Sequence, residues 1–104
     1  MSTIDRLSRW YASQCDGEWE HGYGITIENC DNPGWLVKID LRGTTLEGVE
    51  FSSVANNVDA EDFQLGNRWI VCHVKDAAWN GAGDETKLEQ ILITFLDWAE
   101  PHSR

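Results

Sequence analysis

Two runs of alternating side chains, joined by the loop NCDNPG at residues 29–34, constrain this chain more than any other feature. In the first run Trp19, His21, Tyr23, Ile25 and Ile27 take the odd positions, and Glu18, Glu20, Gly22, Gly24, Thr26 and Glu28 take the even ones. In the second, Trp35, Val37, Ile39 and Leu41 alternate with Leu36, Lys38, Asp40 and Arg42. Period two places alternate residues on opposite faces of an extended chain. Asn, Asp, Pro and Gly between such runs turn the chain back on itself. The pair therefore predicts an antiparallel hairpin with one large apolar face, and the rest of the chain must cover that face.

Helical periodicity supplies the cover. Ile4, Leu7, Trp10, Tyr11 and Cys15 recur at spacings of three and four, which predicts a helix over 3–15 with Ser2 or Thr3 as its cap. Asp16-Gly17 stops it, with Gly17 in the left-handed conformation. A second stripe, Leu88, Ile91, Leu92, Phe95, Trp98 and Ala99, predicts a helix over 86–100 that opens on a Thr86/Glu89 capping box and ends before Pro101. Between them RWIVCHVK, 68–75, has the length and apolarity of a strand flanked on both sides. LEGVEF, 46–51, suits a short edge strand, and DFQL, 62–65, pairs with 68–75 across Gly66-Asn67. The segments 52–62 and WNGAGD, 79–84, carry the composition of loops. The expected architecture is one α+β domain over 1–104. Its antiparallel β-sheet has four or five strands and is flanked by an N-terminal and a C-terminal helix. With both helices on one face, the other face is left to tryptophans or to a partner. A chain of 104 residues buries enough surface for one core without staples.

Charge narrows the partners. Eighteen acids against eight bases give a net charge of −10, which repels nucleic acid and anionic membranes and attracts basic proteins. No run of eighteen apolar residues is present, and MSTIDRLSRW lacks the apolar core of a signal peptide. Three cysteines, Cys15, Cys30 and Cys72, make an odd count without CxxC spacing. That argues against a disulfide framework and for a reducing, cytoplasmic setting.

Cys15, Asp16, Glu20, His21 and His73 are the residue types a metal or nucleophilic site would use. Their spacing matches neither a zinc knuckle nor HExxH, and strand alternation separates Glu20 from His21. A Cys15 nucleophile beside His21 or His73 has no accompanying signature of the GxSxG kind. A small enzyme or metal protein built on Cys15, His21 and His73 is the alternative reading. Ile93 falls off the apolar stripe of the second helix, which makes it either a lone surface residue or the contact point of a homodimer.

WYASQCDGEWEHGYG (10–24), DNPGWLVKIDL (31–41), LEGVEF, WNGAG and LEQILITFLDWA together resemble the immunity protein 53 family of bacterial polymorphic toxin systems. The most specific part is the block with WY, CDG, WEH and a following glycine. The resemblance implies a cytoplasmic antitoxin that binds and blocks one cognate toxin domain, with no cofactor and no enzymatic activity. On that reading Asp16, Glu18 and Glu20 are the electrostatic contacts, His21 lies among them, and Trp19 or Trp35 is the aromatic anchor.

Overall fold

A computed structural model describes residues 1–30, 33–58 and 66–102. Its elements are helix α1 (Thr3–Gln14), a single helical turn α2 (Trp19–Gly22), strands β1 (Ile25–Cys30), β2 (Gly34–Asp40), β3 (Val54–Asn56), β4 (Ile70–Lys75) and β5 (Ala78–Asp84), and helix α3 (Leu88–Ala99), which tightens into a 3₁₀ turn at Glu100–His102. The strands form one antiparallel sheet in the order β1-β2-β5-β4-β3. This is the expected α+β architecture, with five strands.

Helix α1 follows its sequence signals closely, whereas α3 starts at Leu88, two residues later than expected. Ser2 Oγ accepts from the Asp5 N–H at 3.0 Å and caps α1, and Gly17 leaves the helix with φ +93°. Leu7 and Trp10 of α1 and Ile91, Leu92, Phe95, Leu96 and Ala99 of α3 enter the same core as Val37 and Ile39 of β2. Both helices therefore share one face of the sheet. Ile93, off that stripe, is partly buried.

Three segments differ from the expectation, each for a local reason. Residues 19–22 form the turn α2, with Tyr23 just beyond it, and do not extend the first strand. The Asp16 carboxylate accepts the N–H groups of Glu18 and Trp19 and so starts a helical turn, and Gly24 at φ +87° ends it. The large residues Trp19 and Tyr23 are also four apart, so a helical turn accommodates the same pattern. WNGAGD lies within β5, the centre of the sheet, paired along its whole length with β2. Its glycines are there for packing. A Cβ added to Gly81 would lie 2.5 Å from Ile91 Cγ2 and 2.8 Å from the Trp79 ring, so α3 comes this close only over a bare backbone. Residues 46–48 turn, with the Val49 N–H bonded to the Leu46 carbonyl and Gly48 at φ +81°, 49–51 are irregular, and the edge strand is β3, inside the segment 52–62 expected as loop. The expected pairing of 62–65 lies outside the described residues.

Rings knit the core between the layers. Trp10 meets Phe95 edge to face at 4.9 Å, and Phe95 meets Trp79 of the central strand at 5.2 Å. Strands β4 and β5 are joined by Asp76 and Ala77 alone, at φ 56° and 60°, the geometry of a type I′ turn.

Candidate partner-binding site

The loop between α1 and β1 carries the acidic residues singled out in the sequence. Two of its carboxylates brace it from opposite ends. Asp16 accepts the N–H groups of Glu18 at 2.9 Å and Trp19 at 3.0 Å. Glu20 reaches back to accept those of Asp16 at 3.0 Å and Gly17 at 2.8 Å. Glu20 uses both of its oxygens, which a carboxylate alone among side chains of that length offers, whereas Asp16 uses one. The Trp19 and Glu18 amides hold the Asp16 carboxyl below its ordinary range. Glu20 is lowered as well, first by its own backbone N–H and then by those of Asp16 and Gly17. Both groups stay ionised at neutral pH, so the loop presents negative charge fixed in place. Glu18 is exposed between them, and His21 is exposed on the following turn.

The aromatic residues divide. Trp19 is 1 % exposed, packs edge to face on Trp10 at 5.7 Å and donates its indole N–H to the Asp40 carbonyl at 2.9 Å. It anchors the acidic loop to β2 and offers no ring to a partner. Trp35 is half-buried, and its indole N–H is held by the Glu85 carbonyl at 3.1 Å. The end of α1, just before the loop, leans on the neighbouring 41–50 segment, since the Gln14 side chain accepts from the Thr45 N–H at 3.1 Å.

Cys15, His21 and His73 are not brought together. Cys15 and His21 belong to the layer of α1 and α2. His73 lies on the opposite, helix-free face of the sheet, where it lines a groove of about 360 Å³ with Thr26, Glu28, Leu36, Lys38 and Asn80. Cys15 donates its thiol to the Tyr11 carbonyl one turn back. Among the described residues, no three His, Cys, Asp or Glu side chains converge as a metal would require. Asn80 of this face lies in WNGAGD, whose composition is that of a loop, so the sequence does not mark that part of it. The alternation of Leu36 and Lys38 with Val37 did mark its β2 portion.

Asp84 is a further polar feature that the sequence did not single out. It is 1 % exposed and accepts from the Trp69 and Thr86 N–H groups, the Thr86 hydroxyl and Lys87 Nζ. It ties the turn between β5 and α3 together; α3 itself begins at Leu88 after Lys87 with no side-chain cap, so the expected Thr86/Glu89 capping box does not form.

The model of the family described as immunity protein 53 matches residues 4–100, nearly the whole chain. The chain belongs to the immunity protein 53 family. Membership gives it an immunity-type role, in which the relevant partner is a toxin. No curated protein and no solved structure matches it. No helix among the described residues is long and apolar enough to cross a membrane.

Proposed function

We propose that this protein is a cytoplasmic antitoxin that neutralises one cognate, basic toxin domain by covering its surface, with no chemical step of its own. The observation that carries this reading is the family match over residues 4–100. The braced carboxylates supply a means. Asp16, Glu18 and Glu20 hold negative charge on a loop whose backbone is tied down at both ends, so little ordering is lost on docking. A net charge of −10 speeds encounter with a positive partner. His21 and the half-buried Trp35 serve as neighbouring contacts, whereas Trp19 supports the loop from inside.

Co-expression tests this directly. Cells producing the toxin domain encoded beside this chain's gene are expected to grow normally when this protein is present, and the two proteins to elute together. Arrested growth with no co-elution would remove the reading.

A further inference from the structure

The free edge of β1 offers the partner more than charge. β1 pairs only with β2 among the described residues, and it ends the sheet. The Asp40 N–H donates to the Gly24 carbonyl at 3.1 Å, which fixes the phase of the ladder. That bond joins directly opposed residues, so Gly24 sits at a hydrogen-bonded position of the ladder, and the next such positions on β1 are Thr26, Glu28 and Cys30, through the register with Lys38, Leu36 and Gly34. The N–H and C=O groups of Ile25, Ile27 and Asn29 therefore point away from the sheet.

Edges of this length are normally blunted by Lys, Pro, a bulge or a covering element. ITIENC has none of the first two, its pairing with β2 runs one to one without a bulge, and Ile27 is 41 % exposed. The opposite edge of the sheet, β3, is only three residues long. A six-residue edge that no other described strand pairs with, and with a part-exposed Ile at its centre, is a template for another strand.

We infer that an extended, basic strand of the toxin domain adds to β1 and continues the sheet. This rests on the antitoxin reading above and names the surface it uses. Charge selects the occupant. The strand emerges directly from the acidic loop, and Glu28 lies on the helix-free side of β1. A Lys or Arg on the incoming strand beside Glu28, with an apolar residue against Ile27, gives favourable cross-strand pairs. A second copy of this chain would instead bring two acidic loops and two net charges of −10 together.

Substitution at Ile27 separates the possibilities. Ile27→Pro removes an outward N–H that makes no bond to β2, and Ile27→Ala removes the side chain while keeping that N–H. Calorimetric titration with the toxin domain encoded beside this chain's gene is expected to show affinity falling by at least about tenfold for Ile27→Pro and clearly less for Ile27→Ala. Both variants should melt close to the parent protein. If Ile27→Pro does not fold, Ile27→Lys keeps every backbone group and places like charge against the basic strand, with the same expected loss. Amide exchange at Ile25, Ile27 and Asn29 should slow in the complex. Unchanged affinity in a folded Ile27→Pro or Ile27→Lys variant, or unchanged exchange at these amides, overturns the edge assignment while leaving the antitoxin reading in place. A dimer of the free protein that Ile27→Pro dissociates would give the edge to a second copy and equally overturn it. Absence of any binding by the parent protein removes both.

Discussion

The carboxylate of Asp84, almost completely out of solvent, lies 3.0 Å from Lys87 Nζ at the point where β5 hands over to α3. The same carboxylate receives the N–H of Trp69, the residue before β4, at 2.8 Å and the Thr86 hydroxyl at 2.6 Å. One side chain thus ties the chain entering β4 and the turn leading to α3 onto β5. Removing it strands several buried donors and a poorly solvated ammonium. Asp84→Ala is expected to cost about 3 kcal/mol, the scale for breaking a buried pair. Chemical denaturation of the two proteins, compared at equal slope, measures it.

Acid should act through the same group. Burial pushes the Asp84 pKa up, but the hydrogen bonds from Thr86, Trp69 and Lys87 outweigh it and hold the carboxyl far below its ordinary 3.8. The folded pKa is therefore lower than the unfolded one. The resulting stability is fully present above about pH 4 and is lost as pH falls below that. Melting curves between about pH 5 and pH 2 should show the parent protein losing stability more steeply than Asp84→Asn.

Two backbone substitutions should act in opposite directions. Ala77 holds φ +60° in the two-residue β4–β5 turn, a conformation that strains any side chain. Ala77→Gly is expected to stabilise by about 0.5–1 kcal/mol and raise the melting temperature by a few degrees. Gly81→Ala forces a methyl against Ile91 and the Trp79 ring and is expected to destabilise by about 1–3 kcal/mol. Paired thermal melts check both signs.

These glycines explain what the sequence could and could not convey. The helices were legible because Leu7, Trp10, Ile91 and Phe95 recur at helical spacing, and the hairpin because Trp35 to Leu41 alternates cleanly. β5 was not legible. Its inward positions after Trp79 are Gly81 and Gly83, and the reason for those glycines, the close approach of α3, exists only in the folded protein. The acidic loop was half legible. Asp16-Gly17 marked the helix end, but the alternation from Trp19 to Tyr23 fits a turn of helix as well as a strand. Only the Asp16 hydrogen bonds to Glu18 and Trp19 decide between them. Glu20 therefore looked like one of several surface acids, whereas it braces the loop.

Thiol chemistry should follow the burial of the three cysteines. Burial pushes the Cys72 thiol up to about 12, and its side chain is fully covered. A disulfide reagent at neutral pH is expected to modify exposed Cys15 first and half-buried Cys30 more slowly, and to reach Cys72 only after unfolding. Full retention of toxin protection after Cys15 is modified would accord with a surface thiol that has no catalytic part.

Electrostatic docking predicts a rate effect at Glu18. Glu18→Lys leaves the Asp16–Glu20 brace intact and reverses one exposed charge. Association with the toxin domain is expected to slow by about tenfold at low salt, with the two rates converging as salt is raised. Stopped-flow measurement across an ionic-strength series reads this, and salt-independent rates would remove the electrostatic role.

Stoichiometry tests the central claim most directly. Toxin activity is titrated with this protein at concentrations far above their dissociation constant. A covering inhibitor predicts a straight-line fall to zero at one equivalent, independent of incubation time, with activity regained when the complex is taken apart. Loss of toxin activity well below one equivalent, growing with time and persisting after separation, would mean that the protein chemically alters its target, and would contradict the account.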